Sequence, residues 1–79
     1  EVKLKDGKII HNKEINRIQF LFNNIPNEDI RKILKSHGFH WSRKEQAWQR
    51  EFNQNCIKAT HFIQKEFKNL EKEEGEEFE

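Results

Sequence analysis

The sequence predicts an α+β domain with a mainly antiparallel sheet, in the order β-hairpin, β-strand, α-helix, β-hairpin, α-helix, with two helices on one face. Apolar and polar residues alternate at the start of the chain and around its two tryptophans, and apolar residues recur every three or four positions in two other segments. A chain of 79 residues makes one domain. We place this domain at residues 1–70 and expect residues 71–79, which are mostly Glu, to form a disordered acidic tail.

The first three strands follow from alternation and turn chemistry. Residues 2–5 alternate between apolar and basic side chains, Asp6-Gly7 is a dipeptide typical of type I′ turns, and residues 8–10 can return alongside. A third strand follows within residues 15–22, and we expect it at the centre of the sheet because it is the most apolar.

The first helix has clear start and stop signals. Asn27 is a suitable N-cap, and Glu28 and Asp29 follow in the first turn, where carboxylates interact favourably with the helix dipole. Gly38 can adopt the left-handed conformation that ends a helix. The face predicted to be buried carries Ile30, Ile33, Leu34 and His37.

The second hairpin is predicted from two tryptophans that flank the polar residues 43–46. Pairing Trp41 with Trp48 puts Phe39 and both tryptophans on one face, and we predict that these three form part of the core. The opposite face of this hairpin carries His40, Ser42, Ala47 and Gln49.

A second amphipathic helix follows, with Asn53 or Asn55 as its N-cap. Its apolar stripe consists of Cys56, Ala59, Thr60, Ile63, Phe67 and Leu70. The opposite face carries Lys58, His61, Lys65 and Lys68. Phe62 lies off the stripe, and we favour packing against a neighbouring element over a contact surface for it.

Catalytic and metal-binding classes have little support in the residues. A single cysteine, Cys56, excludes an internal disulfide and a cysteine-based metal cluster. Neither Ser36 nor Ser42 lies in a nucleophile motif, and His37 with His40 would supply only two metal ligands. We therefore expect no enzymatic activity, no cofactor and no metal. No apolar run approaches the roughly 20 residues that cross a bilayer, so we expect no membrane partner.

The charge distribution favours a polyanionic partner. Residues 71–79 carry six Glu and one Lys, a net charge of −5, which leaves +6 on residues 1–70. Basic side chains on the first helix and around the tryptophan hairpin could meet phosphates, and polar ones nearby could meet bases. The predicted nucleic-acid-binding residues are Arg31, Lys32, Lys35, His40, Arg43, Lys44, Gln49 and Arg50.

Several short motifs resemble a small domain found at the C-terminal end of uncharacterised proteins from bacterial phages, plasmids and integrative elements. The matching positions are Asn16-Arg17-Ile18-Gln19, Pro26, Glu28, Ile30-Arg31, Lys35, Gly38-Phe39, Trp41-Ser42 and Ala47-Trp48-Gln49-Arg50. The chain departs from the family pattern at His40, where the family has Arg, and at Arg43, where it has Pro. The resemblance covers about 50 residues and implies a mobile-element context and a bacterial cytoplasm.

Together these observations predict a non-catalytic nucleic-acid-binding accessory module, with DNA favoured over RNA. The alternative is a protein-interaction module, such as a phage-encoded inhibitor of a host defence nuclease. In that case the acidic tail could mimic nucleic acid, and Phe62 and Phe78 could act as exposed anchors. A third possibility is self-association through an edge strand at residues 2–5.

Overall fold

The computed structural model describes the backbone of residues 1–76 and the side chains as far as Glu71. The elements in chain order are β1 (Val2–Leu4), β2 (Gly7–Asn12), β3 (Arg17–Phe22), α1 (Glu28–Ser36), β4 (His40–Ser42), β5 (Ala47–Glu51) and α2 (Gln54–Glu76). The five strands form one antiparallel sheet in the order β1-β2-β3-β5-β4. The predicted fold class is confirmed, and β3 is the central strand as expected.

Both helices pack on the same side of the sheet. Phe20 of β3 lies directly beside Ile9 of β2 and Trp48 of β5, and these three side chains point toward the helices. We call this the helix side, and the opposite side, which carries Gln19, the open side. The buried core consists of Ile9, Ile18, Phe20, Leu34, Phe39, Trp48, Cys56, Ala59 and Ile63. Burial raises the pKa of the Cys56 thiol, so this thiol stays neutral inside the core.

The predicted helix signals are confirmed. The Asn27 side chain accepts a hydrogen bond from the backbone N–H of Ile30 at 2.9 Å, which caps α1 at its start. Gly38 has φ of +80° directly after the C-cap residue. For α2, the Asn53 side chain accepts from the backbone N–H of Cys56 at 2.8 Å, so Asn53 rather than Asn55 is the cap.

The first hairpin turns one residue earlier than predicted. Leu4 pairs with Gly7, so the two loop residues are Lys5 and Asp6, and Gly7 belongs to β2. A Cβ atom at position 7 would collide with the carbonyl oxygen of Leu21. Glycine is therefore required here by the close approach of β3 rather than by the turn.

The acidic end of the chain is more helical than predicted. We expected a disordered tail from Glu71, whereas α2 continues to Glu76. Glu and Lys are good helix formers, and the packed first part of α2 provides the nucleus on which they extend. Residues 77–79 lie outside the described part of the chain. Within residues 1–76, no helix combines the length and the apolar character needed to span a bilayer.

Candidate nucleic-acid interface

Trp41 is exposed on the edge strand β4. It lies beside Trp48 on the helix side, with ring centroids 6.0 Å apart and planes tilted by 57°. Trp48 is flanked by β3 and β4 and is 6% exposed, whereas Trp41 is 48% exposed because β4 is the last strand of the sheet. The prediction that Phe39, Trp41 and Trp48 belong to the core is confirmed for Phe39 and Trp48 and is wrong for Trp41.

The loop between β4 and β5 presents two cations in an ordered turn. The Ser42 hydroxyl accepts a hydrogen bond from the backbone N–H of Glu45 at 3.2 Å, and the Gln46 amide donates to the Arg43 carbonyl at 2.7 Å. Arg43 and Lys44 are exposed, and neither side chain has an ion-pair partner among the described residues. The loop therefore holds two available positive charges at one end of β4.

Helix α1 carries two further cations toward the same edge of the sheet. β3 and β4 run parallel with β5 between them, so α1, which connects them, crosses over β5. His37 faces α2, where its ring stacks on Phe62 with centroids 6.3 Å apart. Arg31 and Lys35 lie roughly 120–160° around the helix from His37, beyond the fully buried Leu34, on the flank toward β4. Arg31 also donates to a carbonyl of the loop before α1, 3.0 Å away.

Lys32 and Arg50, like Arg31, have partners within the protein. Lys32 forms an exposed ion pair with Glu28 at 3.4 Å. The Arg50 guanidinium donates to the carbonyl of His37 at 2.8 Å and packs against Gly38. A cation at the end of a helix interacts favourably with the helix dipole, so Arg50 stabilises the C-terminus of α1.

The open side of the sheet carries a network of amide groups. The Gln19 amide donates to Gln49 at 2.9 Å and to Glu45 at 3.4 Å, and its own oxygen accepts from Asn12 at 3.4 Å. His40 lies directly beside Gln49 and is exposed. Gln19 is only 2% exposed, although both helices lie on the other side. Gln19 is not among the predicted site residues, although it stands out in the sequence as a long uncharged polar side chain within the most apolar strand.

The structure therefore separates the eight predicted nucleic-acid-binding residues. Four lie around the edge strand on the helix side and at the loop, two lie on the open side, one is paired within α1, and one is used inside the protein. These groups are Arg31, Lys35, Arg43 and Lys44; His40 and Gln49; Lys32; and Arg50. We call Trp41 together with the four cations of the first group the edge site.

Comparisons of the chain with protein-family models, curated proteins and solved structures give no match. The resemblance to a mobile-element domain therefore stays a prediction. No group of three or more His, Cys, Asp or Glu side chains is placed to hold a metal ion within the part of the chain that the structure describes.

Proposed function

We propose that this domain is a non-catalytic module that binds single-stranded nucleic acid, with a base stacked on Trp41. The observation that carries the proposal is the 48% exposure of an indole on an edge strand, next to a basic loop. Stacking of a base on an aromatic side chain contributes about 1–3 kcal/mol and tolerates any base, because every base has a π-face. Unpaired bases are the favoured ligand, since a duplex hides these faces.

The cations of the edge site support the same proposal. Arg43 and Lys44 follow β4 in the loop, and Arg31 and Lys35 lie on the flank of α1 opposite the one that meets α2. We assign these cations to the phosphates of a strand stacked on Trp41. Each phosphate contact releases counterions and makes binding depend on salt. DNA in a bacterial mobile element remains the expected ligand on the basis of the family resemblance.

The chain provides its own fluorescent reporter for the test. A stacked base quenches indole emission, so oligo-dT should quench Trp41 and leave the buried Trp48 unaffected. In Trp41→Phe the quenching should disappear while Trp48 still reports the folded core. Anisotropy with labelled oligo-dT should give micromolar or tighter binding at low salt, weakened by roughly 5- to 150-fold in Trp41→Ala.

The loop between β2 and β3 also has four residues and provides matched control positions. Arg43→Gln and Lys44→Gln should each lower the slope of log K against log salt by about 0.7. Lys13→Gln and Ile15→Ala, in the loop between β2 and β3, should change binding little. Absence of binding by the wild-type protein at low salt would overturn the proposal.

A protein-interaction module is the second candidate. Phe62 is 55% exposed on α2, as a contact anchor would be, while Phe78 lies outside the described residues. Truncation after Leu70 separates the two functions. Loss of the acidic residues should strengthen nucleic-acid binding by removing repulsion, whereas it would abolish a protein contact made through that segment.

A further inference from the structure

Helix α2 carries a row of three lysines and one histidine that the edge site does not include. Lys58, His61, Lys65 and Lys68 are all exposed and follow one another at intervals of three, four and three residues. This spacing puts them in one line on the solvent face of the helix, and at 1.5 Å per residue the line is about 15 Å long. We call these four residues the α2 row.

The α2 row has few carboxylates beside it, since only Glu71 lies three or four positions from one of its members, Lys68. Solvated helices usually intersperse Glu with Lys at intervals of four, but residues 54–65 contain no Asp or Glu. Glu66 is directed toward α1, where its carboxylate lies 3.1 Å from the imidazole of His37. Among the side chains that the structure describes, no member of the row has an ion-pair partner.

The absence of acidic residues at the start of α2 also disfavours the helix itself. Carboxylates in the first turn interact favourably with the helix dipole, and α1 has two of them, Glu28 and Asp29. The first turn of α2 has none, and Lys58 follows shortly after it. Helix stability therefore does not account for the cations at this position.

The α2 row lies on the same side of the sheet as the edge site. Both helices cover the helix side and contact one another, so a strand that passes from Trp41 to the row must cross α1. We propose that the α2 row is a second phosphate-binding surface, along which the single strand stacked on Trp41 continues. This inference rests on the proposed function of the edge site and extends it to a longer ligand.

The test compares a tetranucleotide with a 16-nucleotide oligo-dT on a triple variant, Lys58→Gln with Lys65→Gln and Lys68→Gln. Gln has nearly the helix propensity of Lys, so α2 should persist, which far-ultraviolet circular dichroism checks. On the long oligonucleotide the salt slope should fall by about 2, close to 0.7 for each lysine removed. On the tetranucleotide, affinity and Trp41 quenching should stay unchanged.

The matched control removes three lysines from the other parts of the surface, Lys3→Gln with Lys8→Gln and Lys13→Gln. Lys3 and Lys8 lie on the open side, and Lys13 lies in the loop between β2 and β3. This control has the same net charge as the α2 variant and should retain the slope of the wild type. An unchanged slope in the α2 variant, or equal losses in both variants, would overturn the second surface and leave the edge site intact. Failure of the wild type to bind either oligonucleotide would instead overturn the proposed function.

Discussion

The two hairpins with four-residue loops have the same turn geometry but differ in how deeply their strands are buried. β2–β3 and β4–β5 are each closed by a four-residue loop, at residues 13–16 and 43–46. In both, the side chain that precedes the loop, Asn12 or Ser42, accepts a hydrogen bond from a loop N–H at 3.2 Å. In both, the last loop residue, Asn16 or Gln46, is left-handed with φ of +54°.

The hairpins differ in where their strands lie in the sheet. Both strands of β2–β3 have neighbours on each side, so the apolar side chains Ile9 and Phe20 are buried. In β4–β5 the outer strand is an edge, and one of two paired tryptophans remains half-exposed. Hairpins with the same local turn thus contribute buried core residues in one case and an exposed aromatic side chain in the other. The position of the strands in the sheet, rather than the turn, determines this difference.

The largest expected effect separates the paired tryptophans by stability. Trp48→Ala should lower the free energy of unfolding by about 3–5 kcal/mol, since it empties a fully packed site. Trp41→Ala should lower it by about 1 kcal/mol, since only part of this ring is covered. Urea denaturation followed by circular dichroism measures both.

If Trp48→Ala does not fold, a milder pair of variants tests the same distinction. Trp48→Phe should still cost clearly more stability than Trp41→Phe, because only the former changes the volume of the closed core. Equal losses at the two positions would contradict the distinction between core and surface drawn between the strands.

The features that were predicted from the sequence are those set by neighbours in the chain. The Asn27 cap, the Gly38 stop and the register of Trp41 with Trp48 depend on residues within a few positions, so local patterns specify them. The exposure of Trp41 depends on β5 pairing with β3, a contact between distant segments. The use of Arg50 at the end of α1 is also tertiary, because this contact spans 13 positions of the chain.

A second expected effect concerns a histidine inside the β2–β3 hairpin. The His11 ring stacks on Phe52 with centroids 4.1 Å apart, and its Nε2 atom is buried without a hydrogen-bond partner among the described residues. His11→Phe should keep the stack and remove the unsatisfied atom, which raises the free energy of unfolding by about 1 kcal/mol. His40→Phe, on the exposed edge strand, should change it by less than about 0.5 kcal/mol. Thermal or urea denaturation measures both variants. If His11→Phe were less stable than His40→Phe, the result would contradict the burial of His11.

The smallest effect tests whether the two turns are equivalent. A left-handed conformation costs an ordinary residue about 1–2 kcal/mol, while Asn tolerates it better and Gly adopts it freely. Gln46→Gly should therefore stabilise the fold, although it loses the hydrogen bond from the Gln46 amide to the Arg43 carbonyl, so we expect a net gain of about 0.5 kcal/mol. Asn16→Gly should gain less, because Asn already suits the position. A larger gain at position 16 than at position 46 in urea denaturation would show that the turns differ in strain despite their equal φ angles.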